Sequence, residues 1–192
     1  SLEGRVREGK IGTVLNVTGA VTTRELQRIA VEETRLGIPL IFALDVIHGY
    51  KTISPVPLAE SCSWDMETIE ASARMAAVEA SAAGLQWTFA PMVDIARDPR
   101  WGRVMEGAGE DPYLGSCIAR ARVRGFQGGD LSASNTILAC AKHFAGYGAS
   151  EGGRDYNTVD ISDQRLRELY LPPFKAAADA GAATFMNSFN EL

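Results

Sequence analysis

ILACAKHF, residues 137–144, decides the fold. Five apolar residues, Ile137 to Ala141, run without a polar break and stop at Lys142 and His143. Such a run fits a strand covered on both faces, as in a parallel sheet. A lysine on a surface loop carries no message, but one placed straight after a buried strand points to function. Neighbouring side chains of a regular strand face opposite ways. Lys142 and His143 can therefore serve one site only if the strand breaks between them.

The same pattern recurs on either side. GTVLNV (12–17), PLIFALDV (39–46), WTFAPMVDI (87–95) and ATFMNS (183–188) are four more strand candidates. Asp45 follows IFAL, Asp94 follows FAPMV and Asn187 follows TFM, so polar residues gather where strands end. Helical segments alternate with these runs. Thr22 to Glu25 has capping-box spacing, and Leu26, Ile29, Ala30 and Leu36 share a helical face that Gly37 can end. Asp65 can cap an Ala-rich helix reaching Gly84, and Asp111-Pro112 opens another through about Gly125. Ser162 or Asp163 opens a last helical region, which Pro172-Pro173 must interrupt or restart.

Strand–helix–strand alternation means a parallel α/β sheet. A dinucleotide fold would carry G-x-G-x-x-G after an early strand, whereas TGAVTTREL follows the first one, and no phosphate-binding P-loop is present. A (β/α)8 barrel places function at the C-terminal ends of its strands, where the polar residues lie. Five strands in 192 residues fall short of eight in roughly 250. The expectation is a partial (β/α)8 barrel, truncated at about the fifth strand, whose open strand edges invite self-association.

Composition narrows the function. The chain is 46% hydrophobic and 22% charged, ordinary for a globular domain. A net charge of −5 argues against nucleic acid as a partner. No run of about 18 apolar residues marks a membrane span. The first residues, SLEGRVREGKIG, lack an apolar signal core. Cys62, Cys117 and Cys140 are widely spaced and fit buried thiols better than a metal or disulfide framework.

Four segments carry chemistry. LDVIHGYKT (44–52) holds Asp45, and His48 suits a structural role in the loop. RDPRWGRVMEGAGEDPYLGS (97–116) is nearly charge-balanced, which predicts an ion-pair network with one arginine reaching the site. KHFAGYGASEGGRDYN (142–157) is glycine-rich after the Lys-His pair. MNSFN (186–190) offers Met186 and Phe189 as an apolar wall, although packing alone also explains Met186. The inventory of Asp, Arg, Lys, His and aromatic residues suits a neutral, hydroxyl-rich ligand. Charge-assisted hydrogen bonds are the stronger kind, and a sugar offers many hydroxyls.

LDVIHG, FAPMVDIARDPRWGRVMEGAGEDPYL, AKHFAGYG and FMNSFN come in the order found in glycoside hydrolase family 3, which the chain resembles from about Gly9 to Leu192. The likeness is greatest to bacterial β-glucosidases of the periplasmic type. It implies a barrel domain followed by an α/β sandwich domain that these residues do not include. It implies that Asp45, Arg103, Lys142 and His143 bind hydroxyls in the −1 subsite. Arg154 matches a further sugar- or nucleophile-contacting arginine, and Met186 a residue lining the pocket. In many relatives the position of Phe189 is a tyrosine whose hydroxyl approaches the nucleophile. Cis peptides around the Lys-His pair are also implied. KHFAGYG lacks the extra histidines of the β-N-acetylglucosaminidase branch, which favours glucosidases and xylosidases. The implied reaction is retaining hydrolysis by two carboxyl groups about 5–5.5 Å apart. The nucleophilic aspartate and acid/base glutamate are expected beyond Leu192, so Asp94, Asp98 and Glu106 read as structural. The implied partners are a β-glucoside or oligosaccharide and the rest of the same chain, in a periplasmic or secreted protein with no cofactor. The competing readings are a β-xylosidase, a non-catalytic sugar-binding relative and a nucleotide-binding module.

Overall fold

The computed structural model describes all 192 residues. All five expected strands form: β1 Thr13–Leu15, β2 Ile41–Leu44, β3 Trp87–Thr88, β4 Cys140–Phe144 and β5 Thr184–Asn187. Every pairing is parallel, β1 with β2, β2 with β3, and β4 with β5. Bridges from Trp87 to Leu138 and from Met92 to Lys142 join the two sets in chain order. Each strand thus lies beside the next in sequence, the arrangement of a singly wound barrel. The barrel is not closed.

Strand β3 is shorter than the WTFAPMVDI run. Pro91 has no N–H to give the ladder, and the chain continues as an irregular ribbon. It still pairs with β4, since Cys140 and Lys142 donate to the carbonyls of Ala90 and Pro91 at 2.8 and 3.1 Å.

The helices cover the outside: α1 Leu2–Arg7, α2 Ala20–Glu32, α3 Pro57–Ser61, α4 Met66–Ala82, α5 Pro112–Gln127, the short α6 Asp163–Arg165, and α7 Pro172–Asp179. Asp65 and Asp111 cap α4 and α5, accepting from the N–H groups of Thr68 and Leu114. Ser162 caps α6 through the N–H of Arg165. A π-helical turn, Leu166–Tyr170, leads from α6 to the proline-started α7. The α4–α5 contact depends on Gly125, where a Cβ would lie 2.4 Å from the Glu70 carbonyl oxygen.

Helix α2 departs from its sequence reading at both ends. Gly19, not Thr22, occupies the N-cap. Thr23 is buried instead, and its hydroxyl donates back to the Gly19 carbonyl at 3.1 Å. The helix stops at Glu32 because the Thr34 hydroxyl takes the Ala30 carbonyl and accepts from Gly37 N–H. Leu36 is left 57% exposed, off the apolar face.

The main core joins the sheet to α2, α4, α5 and α7 through Phe42, Val46, Ala77, Phe126, Ala141 and Phe174, among others. By contrast Phe185 on β5 and Phe189 just beyond it are 42% and 49% exposed.

Candidate active site

The end of β4 is where the site assembles. The strand does break: its register with β5 shifts between Lys142 and Phe144. The Lys142–His143 and Phe144–Ala145 peptide bonds are cis, as the family resemblance implies. Lys142 and His143 are both buried. Lys142 Nζ donates to Asp45 Oδ1 at 2.7 Å, bridging the ends of β4 and β2. The lysine side chain is 4% exposed and that of Asp45 51% exposed, so one partner is enclosed and the other faces solvent.

His143 is fixed from behind. Its backbone N–H and its ring Nδ1 both meet Asp94 Oδ2, at 3.0 and 2.8 Å. Burial pushes the Asp94 carboxyl up from its ordinary range, against the pull of the His143 donors. Asp94 Oδ1 has no hydrogen-bond partner.

Arg103 comes from the long loop after β3. Its Nε and Nη2 donate to the two oxygens of Glu106 at 2.6 and 2.8 Å, a bidentate fork. Nη2 lies 3.5 Å from His143 Nε2, and the guanidinium sits 5.4 Å from the centre of the Tyr147 ring. Burial pushes the Glu106 carboxyl up, but the Arg103 fork, with Lys142 nearby, holds it below the usual range. Arg103 thus links the Glu106 carboxylate to the His143 ring.

An aromatic wall closes one side. The Tyr147 ring meets His143, Trp101 and Phe189 edge-on at 5.0–5.3 Å. Its hydroxyl donates to Asp155 Oδ1, which also accepts from Trp101 Nε1 at 2.9 Å. Burial and the Asp155 carboxylate keep the Tyr147 phenol protonated well above its ordinary pKa. Gly148 lets this segment lie against the β3 ribbon, since a Cβ would sit 2.1 Å from the Ile95 carbonyl oxygen.

Of the residues the sequence singles out, Asp45, Arg103, Lys142 and His143 come together. Met186 pairs with Lys142 across the β4–β5 register and is half-buried. Arg154 does not join the cluster through any hydrogen bond. It is exposed and donates only to the Glu151 carbonyl, at 3.3 Å. His48 takes its loop role, with Nδ1 3.0 Å from the Ser54 carbonyl oxygen. The charged loop is an internal network only in part: Arg100 pairs with Asp98 and Arg103 with Glu106, while Arg97 reaches out to Glu151 and Asp111 caps α5, and Arg103 is the arginine that reaches the cluster.

Sequence reasoning missed the Tyr147–Asp155–Trp101 network and the bond between Asp94 and His143. The signal for Asp94 was available, since it ends an apolar strand run as Asp45 does. No group of three or more metal-ligating side chains is present, and no helix is long and apolar enough to cross a membrane.

Residues 3–192 match the family described as glycosyl hydrolase family 3 N terminal domain. The chain belongs to this family. It is 43% identical over 187 residues to a periplasmic beta-glucosidase of Salmonella typhimurium, covering 97% of this chain and 24% of that protein. A beta-xylosidase of Formosa agariphila is 38% identical over 175 residues, covering 84% of this chain and 24% of its own. Among solved structures, a beta-glucosidase from Listeria innocua in complex with isofagomine superposes with a TM-score of 0.93 at 48% identity. That match covers 97% of this chain and 26% of the Listeria chain. The chain thus spans about a quarter of the length of these family 3 relatives. Its parallel strands match the N-terminal part of the family's barrel domain.

Proposed function

We propose that these residues are the sugar-gripping part of a retaining exo-β-glucosidase that hydrolyses terminal, non-reducing β-D-glucosyl residues. The observation that carries this is the convergence of Lys142–Asp45, Arg103–Glu106 and His143 at neighbouring strand ends. A sugar hydroxyl both donates and accepts. Lys142 and Arg103 can only donate, while Asp45 and Glu106 as carboxylates can only accept. Adjacent hydroxyls of one ring can bridge such pairs, each through charge-assisted bonds. Asp45, Arg103, Lys142 and His143 are the −1 subsite binders in this reading. Met186 supplies apolar lining, and Arg154, which lies outside the cluster in this structure, keeps a sugar- or nucleophile-contacting role only through the family resemblance.

Solved Listeria relatives in complex with isofagomine and with glucose support the substrate class. The nucleophilic aspartate and the acid/base glutamate are assigned to parts of the protein outside these 192 residues, the latter to a second, α/β sandwich domain. The chain by itself then binds but does not hydrolyse. A periplasmic or secreted location is part of the same reading, supported by the name of the Salmonella relative.

A β-xylosidase is the second reading, favoured by the Formosa relative. Glucose and xylose differ in one hydroxymethyl group. Assay of the intact protein on 4-nitrophenyl β-D-glucoside and β-D-xyloside separates the two. We expect hydrolysis with retention and a higher kcat/KM on the glucoside. A higher value on the xyloside would favour the second reading. Sugar binding without turnover of either would make the protein a non-catalytic binder.

A further inference from the structure

We infer that Asp94 is a positioning residue: it locks His143 as the Nδ1–H tautomer, so that Nε2 faces the site as a hydrogen-bond acceptor. This deepens the sugar-binding reading and rests on it for its functional consequence, but not for its geometry.

Two independent constraints fix the proton. The first comes from behind the ring. Asp94 Oδ2 accepts the His143 backbone N–H at 3.0 Å, and ring Nδ1 lies 2.8 Å from the same oxygen. A carboxylate oxygen is an acceptor, so Nδ1 must carry the hydrogen. Two donors of one residue on one oxygen also close a small ring that sets the side-chain torsion. The second constraint comes from the front. Arg103 Nη2 faces Nε2 at 3.5 Å, and a guanidinium has no acceptor to offer. Nε2 next to it is therefore the unprotonated nitrogen.

Other neighbours leave this assignment in place. Tyr147 and Phe189 meet the imidazole with their rings, at 5.0 and 5.2 Å between centroids. Glu106 is held by Arg103. The Tyr147 hydroxyl is turned to Asp155. Asp94 is 3% exposed and its Oδ1 bonds nothing, so every hydrogen bond this carboxylate makes is to His143. A purely structural acid would tie separate elements together through both oxygens. This one serves a single residue.

The consequence is selectivity for a donating hydroxyl. A ligand hydroxyl between Arg103 or Lys142 and His143 accepts from the cation and donates to Nε2. Fluorine in its place can still accept, weakly, but cannot donate.

The test has two readouts. Long-range 15N–1H spectra of the imidazoles of the intact protein, with the His143 signals assigned by their loss in His143→Gln, read the tautomer without any sugar. We expect hydrogen on Nδ1 of His143 and none on Nε2, and hydrogen on Nε2, alone or together with Nδ1, would overturn the inference. The second readout is kcat/KM of the intact protein on 4-nitrophenyl β-D-glucoside. Asp94→Asn keeps an acceptor and should stay within about threefold of wild type. Asp94→Leu, of similar shape without an acceptor, should lose roughly tenfold, the scale of one oriented hydrogen bond. Adding Asp94→Leu to His143→Phe should cost nothing further. Equal losses for Asn and Leu, or additive losses in the double variant, would mean that Asp94 acts other than through His143. Should the protein prove inactive on glycosides, the sugar-binding reading falls while the tautomer measurement still decides the positioning.

Discussion

Two ion pairs in this molecule share a distance class and differ in everything else. Arg122 and Glu60 join α5 to α3 with side chains 6% and 8% exposed. Their remaining groups are largely used: Arg122 Nη1 donates to the Ile47 carbonyl at 2.9 Å, and Ser72 donates to Glu60 at 2.7 Å. Ser54 lies 2.9 Å from Ser72, so the network grips the 47–54 loop at both ends. Lys142 and Asp45 also pair, at 2.7 Å, but Asp45 is half in water and the Lys142 ammonium makes no other hydrogen bond. A closed pair holds a loop in place. An open pair has donors and acceptors left for something else, and the proposed sugar-binding role rests on that difference.

The largest effect should come from opening the closed pair. Arg122→Ala strands Glu60 in the interior and should cost about 3–5 kcal/mol of stability by urea denaturation. Replacing both partners by apolar residues, Arg122→Met with Glu60→Leu, should recover most of that loss. A single variant that unfolds at the wild-type urea concentration would erase the distinction between the pairs.

Next comes Arg103→Lys in the intact protein. The charge stays but the fork on Glu106 is lost. We expect kcat/KM on an aryl β-glucoside to fall by roughly tenfold to a hundredfold, equivalent to about 1.4–2.7 kcal/mol, with little change in melting temperature. Equal losses of activity and stability would make Arg103 a structural residue like Arg122.

The pH dependence sharpens the comparison further. Glu106 is held below its ordinary range in the folded protein. Its contribution to stability is therefore full above the unfolded glutamate value of about 4.3 and is lost as pH falls through the lower folded value. Glu106→Gln should flatten this acid limb in urea midpoints measured from pH 7 to pH 3. A limb of unchanged steepness would contradict the assignment. The smallest effect on stability belongs to Lys142→Met, which leaves only the half-exposed Asp45 without its partner and should change stability by no more than about 1 kcal/mol.

The strands and the front of the site were legible because apolar runs stop abruptly at Asp45, Lys142 and His143. The family resemblance added Arg103. What stayed hidden was support. Arg122 sits in a charged-looking stretch, ARARVRG, and only helix packing shows that it is buried while Arg124 is exposed. Asp94 read as merely structural because its partner lies 49 residues away. Tyr147 and Asp155 share a glycine-rich loop whose path a local pattern does not give. The α2 boundaries were misplaced for a similar reason: burial of Thr23 and the turn at Thr34 outweighed capping spacing and apolar periodicity.

The central claim is that the open pair grips sugar. The most direct measurement is calorimetric titration of glucose into the intact protein, wild type against Lys142→Met, with melting temperatures taken in parallel. The account predicts at least a tenfold loss of affinity, about 1.4 kcal/mol, with the melting transition nearly unmoved. Unchanged affinity in a folded Lys142→Met protein would contradict it.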